Sequence, residues 1–174
     1  MDFLELAQSR YSVRKFKDTP ISDDDLQKII DAGMCAPTAR NRQPQRIYVI
    51  KSQEGLEKIR ACSPCTYGAP CVILFCYDKV NGAMDDPAPY EEVYRPRFGE
   101  VDTTIVMTHM MLEAWNLGIG SCEVGLFDIE KVKKLFDLPE TEYPLLLLPI
   151  GYADMPATPR HFQSKAQEEL IREC

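Results

Sequence analysis

This sequence is poor in histidine, with two in 174 residues, and it contains no long apolar run. His109 and His161 lie far apart, so they do not form a metal-ligand cluster. A helix that spans a bilayer needs about 20 successive apolar residues, so we expect no membrane segment. The stretch Met1–Glu5 has neither the basic lead nor the apolar core of a signal peptide. These absences predict a cytoplasmic protein with no bound metal.

Positive charge is also scarce, because 20 Lys and Arg stand against 27 Asp and Glu and leave a net charge of −7. Binding to nucleic acid needs clustered basic residues that neutralise phosphates, so we expect no nucleic-acid partner. The chain lacks the GxSxG elbow, the P-loop and the GxGxxG fingerprint. A serine or cysteine hydrolase therefore lacks its signature.

The seven cysteines are an odd number, and with no export signal we expect them to be free thiols. Cys62 and Cys65 have CxxC spacing, but a zinc site or an iron–sulfur cluster usually needs four protein ligands. Cys71 and Cys76 lie at an odd separation in an apolar strand, so they should point to opposite faces. A thiol or metal protein built on Cys62 and Cys65 remains an alternative.

The size and composition of the chain suit one globular domain over residues 1–174, with 45% hydrophobic and 27% charged residues. Apolar periodicity, caps and β-branched runs predict the elements. Helices are expected over 2–8, from Ser22 to Pro37, and over 53–61, 99–117 and 128–136, and strands over 46–50, 71–77 and 144–150. A polar helix or tail is expected over 164–172. Alternating helices and strands indicate an α+β or α/β layered domain.

The predicted helix over 99–117 is apolar nearly all round, which is typical of a buried helix. A domain of this size rarely buries a helix completely by itself. A subunit interface would cover the remaining face and would favour a homodimer. The alternative is that the core of a single domain encloses the helix.

Arg10, Ser12 and Arg14 occupy alternate positions after a short apolar segment. In an extended chain their side chains would project from the same face. Two guanidinium groups and a hydroxyl suit a phosphate, because arginine binds phosphate oxygens in a bidentate manner and stays charged. A solvated basic run is the alternative interpretation of these residues alone.

Three further segments accompany this one in a fixed order. They read Ala-Pro-Thr-Ala-Arg-Asn-Arg-Gln-Pro over 36–44, Gly-Ile-Gly-Ser-Cys-Glu-Val-Gly over 118–125, and Leu-Leu-Leu-Leu-Pro-Ile-Gly-Tyr over 145–152. Together with residues 10–14 they resemble the FMN-dependent nitroreductase family, and the resemblance extends from Phe3 to Arg160. It implies a three-layer α+β fold, with a central, mostly antiparallel sheet flanked by helices, in an intertwined homodimer.

The resemblance also implies a phosphate site. Arg10, Ser12 and Arg14 would bind the FMN phosphate and the neighbouring ribityl hydroxyls. Arg160 would be a second phosphate contact, although an ordinary surface arginine is the alternative.

The flavin ring would be contacted by two other segments. Pro37, Thr38 and Asn41 match the family segment that reaches the flavin from the other subunit. A backbone N–H of Val124 or Gly125 would point at flavin N5. The family commonly has an aromatic residue where this chain has glutamine, directly after the Gln-Pro pair.

The function that the resemblance implies is electron transfer. NAD(P)H would reduce the FMN through N5, and a nitroaromatic, a quinone or a similar planar acceptor would then take the electrons in a ping-pong cycle. The scheme requires no catalytic side chain. The loop 81–98, with Tyr90, Tyr94 and Phe98, would cover the site. A non-catalytic protein that binds or stores FMN is the alternative.

Overall fold

The computed structural model describes residues 2–80, 98–155, 159 and 165–174. The helices are α1 (Phe3–Ser9), α2 (Asp23–Met34), α3 (Gln53–Cys62), α4 (Phe98–Asn116), α5 (Ile129–Leu135) and α6 (Gln167–Leu170). The strands are β1 (Gln45–Ile50), β2 (Cys71–Asp78), β3 (Gly120–Ser121) and β4 (Glu142–Gly151). The expected covering loop over 81–98 lies outside the described residues except for Phe98, which begins α4, and Arg160 also lies outside them. In those that are described, no helix combines the length and the apolar character that crossing a membrane requires.

Side-chain caps fix where the helices begin. The Ser22 side chain accepts a hydrogen bond from the Asp25 N–H at the start of α2, and Asp128 caps α5 through the Lys131 N–H. Each cap satisfies a backbone donor that the first turn of a helix leaves without a partner. Both predicted caps are confirmed, and α4 ends within one residue of its predicted boundary.

The polar segment over 164–172, predicted as a helix or a tail, is helical only over α6 among its described residues. Its described residues are exposed, and α6 contributes no buried side chain. A short helix in water is marginal without an apolar face to pack, which accounts for the short length of α6.

The four strands form one antiparallel sheet in the order β1-β2-β4-β3. Strand β2 is central, and its Phe75 pairs with Leu146 of β4. Its Cys71 packs in the cluster that includes α2 and α4, whereas Cys76 packs on the opposite face with α3 and α5. The sheet is thus covered by helices on both sides, which confirms the three-layer α+β fold and the opposed orientation of the two cysteines.

Helix α4 has one deeply buried face and one partly uncovered face. Val106, Met107 and Met110 are completely buried against the sheet and α2. A Cβ on Gly33 of α2 would lie 2.6 Å from Cγ of Met110, so the two helices are in close contact there. Val101, on another face of α4, is 48% exposed. The core of one chain therefore covers only part of this apolar helix.

Candidate functional site

The segment 10–17 lies along the edge of the sheet beside β3. The Val13 N–H donates to the Ser121 carbonyl at 2.9 Å, and the Lys17 N–H donates to the Tyr152 carbonyl at 2.8 Å. Ser12 forms a parallel bridge with Ser121. The segment is thus held in an extended conformation between β3 and the residues that follow β4.

The side chains of this segment divide between the core and the surface. Val13 is 2% exposed and packs into the core, whereas Arg14 is exposed and Arg10 and Ser12 are half-buried. A Cβ on Gly120 would lie 2.5 Å from Cγ2 of Val13. Only glycine therefore allows the segment to approach β3 this closely. The close packing of Val13 fixes the backbone from which the two arginines project.

The charges of the segment are compensated unevenly. Lys15 Nζ lies 2.6 Å from Asp154 Oδ2, so this cation is paired. Among the described residues, no carboxylate pairs with Arg10 or Arg14. Two guanidinium groups without a carboxylate partner among the described residues, and a serine hydroxyl in the same segment, are donors of the kind that bind the oxygens of a phosphate. The residues present therefore fit a cofactor that carries a phosphate group.

Two neighbours of Arg14 had no signal in the sequence. The pKa of the Tyr67 phenol is raised by its hydrogen bond to Cys65 and by burial, and Arg14 acts in the opposite direction. Burial likewise raises the pKa of the Cys122 thiol, while the Arg14 charge opposes the shift. Tyr67 has a φ of 53° and follows a 3₁₀ turn. Tertiary structure alone brings these side chains to Arg14, and Cys122 is buried.

The loop that contains Pro37, Thr38 and Asn41 has an unusual backbone. Arg40, Asn41 and Gln43 have φ values of 52°, 55° and 50°. This left-handed region is uncommon for residues other than glycine, and such strain concentrates at functional sites. The Thr38 Oγ1 accepts from the Gln43 N–H at 3.1 Å, which closes the loop on itself. Pro37 and Asn41 are exposed at its surface.

The segment after β3 distinguishes between the two expected backbone donors. The Val124 N–H donates to the Leu147 carbonyl at 2.9 Å, and the Leu147 N–H donates back to Val124. Gly125 is exposed, and its N–H has no partner among the residues that the structure describes. The arrangement therefore favours Gly125 as the donor to a bound ligand.

The segment that carries Arg10 and Arg14 and the loop that carries Thr38 and Asn41 are attached to opposite ends of α4. Trp115, near its C-terminal end, donates from Nε1 to Ser9 Oγ at 2.8 Å, and its ring centroid lies 4.9 Å from that of Tyr11. Near the other end, the Asp102 carboxylate accepts from the Ala39 N–H at 2.9 Å. At a rise of 1.5 Å per residue, Asp102 and Trp115 are about 20 Å apart along the axis.

The CxxC pair lies on the other side of the sheet from α4. Cys62 is buried in the last turn of α3, and its thiol donates to the Lys58 carbonyl at 3.3 Å. Burial raises the pKa of this thiol, which disfavours the thiolate that metal binding and nucleophilic attack need. In the parts of the chain that are described, no group of three or more His, Cys, Asp or Glu residues could hold a metal ion.

Comparison with known proteins relates this arrangement to one family. The sequence model described as "Nitroreductase family" matches residues 7–63 and 60–152. A protein of Methanothermobacter thermautotrophicus, named provisionally as an NADH dehydrogenase/NAD(P)H nitroreductase, is 33% identical over 91% of this chain and 81% of its own length. An NADPH-dependent oxidoreductase of Staphylococcus haemolyticus is 28% identical over 84% of this chain, which spans 63% of that protein.

Solved structures agree with the sequence comparison. A nitroreductase family protein from Clostridium difficile 630 superposes with a TM-score of 0.90 at 35% identity, covering 99% of this chain and 98% of that one. A nitroreductase family protein from Clostridium novyi NT gives a TM-score of 0.76 at 26% identity, covering 97% and 91%. The fold, the order of the segments and the sequence match together show that the chain belongs to the nitroreductase family.

Proposed function

We propose that this chain is an NAD(P)H-dependent FMN oxidoreductase that passes electrons to a nitroaromatic, a quinone or a similar planar acceptor in a ping-pong cycle. The observation that carries the proposal is the pair of guanidinium groups of Arg10 and Arg14, which no described carboxylate neutralises. The nitroreductase family uses FMN, and two relatives are named for NAD(P)H-linked activities. We further propose that residues 1–174 form one FMN-binding domain.

The side chains bind and orient the cofactor. Arg10, Ser12 and Arg14 are assigned to the phosphate, and the Gly125 N–H is assigned to flavin N5. Arg160 stays a prediction as a second phosphate contact. When bound, FMN supplies the redox chemistry of the site. The protein residues hold its phosphate and present a hydrogen-bond donor to its ring, so no side-chain acid or base is assigned.

A homodimer is the second part of the proposal. An open cavity of about 450 Å³ lies where α4 meets the start of β4, and its lining is mostly apolar, with Val101, Ile105, Leu145 and Leu146. Val101 is 48% exposed and Leu126 is 65% exposed. Contiguous apolar surface of this kind is typical of an interface. A second copy of the chain would cover it and would bring its own Pro37–Asn41 loop to the flavin.

The test begins with an absorption spectrum of the purified protein and the mass of the released chromophore. The proposal predicts FMN in amounts approaching one per chain, and bleaching of the flavin when NADH or NADPH is added. Steady-state oxidation of NAD(P)H with a quinone then separates an enzyme from a protein that only stores flavin. A colourless protein that cannot be reconstituted with FMN would refute the proposal.

A further inference from the structure

We infer that Asp102 and Arg46 are positioning residues that hold the loop 38–43 in the conformation needed for flavin binding. The inference rests on the proposed function, because the loop's assigned ligand is the flavin. Neither residue belongs to the segments that identified the family. Both act on the loop through its backbone.

Asp102 fixes the beginning of the loop. It is 4% exposed, and its Oδ2 accepts from the Ala39 N–H at 2.9 Å across 63 residues of sequence. A buried carboxylate is costly unless hydrogen bonds compensate its lost hydration. Its placement in the second turn of α4 therefore serves the loop, and Ala39 is directly joined to Thr38, which is assigned to the flavin.

Arg46 fixes the end of the loop. Its Nη1 lies 3.3 Å from the Gln43 carbonyl and 3.0 Å from the Gln45 carbonyl. Its Nη2 donates to Asp78 Oδ2 at 2.9 Å, and Asp78 is only 9% exposed. The guanidinium is therefore held by β2 while it binds the carbonyl of the last strained residue of the loop.

A second carboxylate completes this arrangement. Glu142, at the start of β4, lies 4.0 Å from Nε of Arg46 and accepts a hydrogen bond from the Tyr48 hydroxyl. Desolvation and this hydrogen bond raise the pKa of Tyr48, so the phenol keeps its proton as the donor. Arg46 is thus connected to β1, β2 and β4, and the end of the loop is tied to the rigid centre of the sheet.

The strain in the loop explains why anchors are needed. Arg40, Asn41 and Gln43 have left-handed backbones, a conformation that persists only when surrounding contacts enforce it. A loop held in this way loses little conformational freedom when a ligand binds, and preorganisation of this kind raises affinity. Loosening either anchor should therefore weaken flavin binding without removing a flavin contact.

The test uses the full-length chain with Asp102→Ala, Asp102→Asn and Arg46→Met, and with Leu56→Ala as a control. Asparagine keeps an oxygen that can accept from the Ala39 N–H. Leu56 is buried in α3, so its truncation lowers stability without touching the loop. Hydrogen–deuterium exchange of the peptide 38–45 reports loop order without any flavin, and titration with FMN gives the dissociation constant.

We expect faster exchange in the loop and a rise in the FMN dissociation constant of about tenfold for Asp102→Ala and Arg46→Met. Asp102→Asn and Leu56→Ala should stay within about threefold of the wild type. The inference is overturned if the loop loosens while FMN affinity is unchanged, if exchange does not rise, or if Leu56→Ala weakens binding equally. Failure of the wild-type chain to bind FMN would instead refute the proposed function, and the exchange data would still show whether the two residues hold the loop.

Discussion

Replacement of Arg14 by methionine tests the phosphate assignment most directly. Methionine keeps an unbranched apolar stem and removes the guanidinium. A hydrogen bond to a charged group contributes about 1.5–3 kcal/mol. Arg14 is exposed, so water and salt reduce its contribution, and we take about 1.5–2 kcal/mol. The dissociation constant of FMN should therefore rise about 10- to 30-fold.

Riboflavin provides the control ligand, because it has the same ring and no phosphate. Its affinity should change less than about threefold in Arg14→Met, since the lost contact is with the phosphate. The difference between wild type and variant should also shrink as salt is raised from about 0.01 M to about 1 M, because the screening length falls from about 30 Å to about 3 Å. Fluorescence titrations with both flavins measure these effects.

Lys15→Met provides the matched control variant. Lys15 is adjacent in the chain and carries the same charge, but it is paired with Asp154 at 2.6 Å. Its removal should change FMN affinity less than about threefold, because an exposed ion pair contributes little. Equal loss of FMN affinity in both variants, or equal loss of riboflavin and FMN affinity in Arg14→Met, would refute the assignment.

Three other predictions follow from packing and burial. Burial raises the pKa values of Cys71 and Cys76 from 9.0 to about 12, so the folded chain keeps protons that the unfolded chain releases above pH 9. The free energy of unfolding should therefore fall between pH 9 and about 12, by up to about 2.7 kcal/mol per pH unit for the two thiols. Chemical denaturation of the wild type and of a variant with both cysteines replaced by alanine measures this slope. Gly120→Ala should destabilise the fold by about 1–3 kcal/mol and weaken FMN binding, because the added Cβ would lie 2.5 Å from Cγ2 of Val13. Adding Val13→Ala to this variant should restore part of the thermal stability, and no restoration would contradict the contact. Val101→Asp should shift the dimer toward monomer and lower flavin content together, as measured by light scattering and absorbance, and an unchanged dimer would place the interface elsewhere.

The elements were predictable from local sequence wherever a single physical signal dominated. Ser22 and Asp128 begin helices because each offers an oxygen to a free backbone N–H. The run over β2 is a buried strand because both faces of its sheet are apolar. The terminal segment, predicted as a helix or a tail, forms only the short helix α6 among its described residues, because helix propensity alone does not stabilise a segment without a packing partner.

The candidate site was predictable only in part. Arg10, Ser12 and Arg14 were predicted from alternation in an extended chain, which is a local property, and the structure holds this segment beside β3. Whether Val124 or Gly125 would be the donor was undecided in the sequence. The bridge from Val124 to Leu147 joins two distant segments, and this pairing leaves the Gly125 N–H without a partner among the described residues.

The sequence by itself determined the family, the order of the elements and the chemistry of the side chains that we propose for the phosphate, because each depends on residue type and short-range spacing. The tertiary structure decided which charges are neutralised and which loops are held. Lys15 has a carboxylate partner because Asp154 returns to the segment from beyond β4, whereas Arg14 has none among the described residues. Asp102 reaches Ala39 across 63 residues, and Arg46 reaches Asp78 across 32. Such contacts depend on how the sheet and helices pack together, a long-range outcome that no local pattern contains.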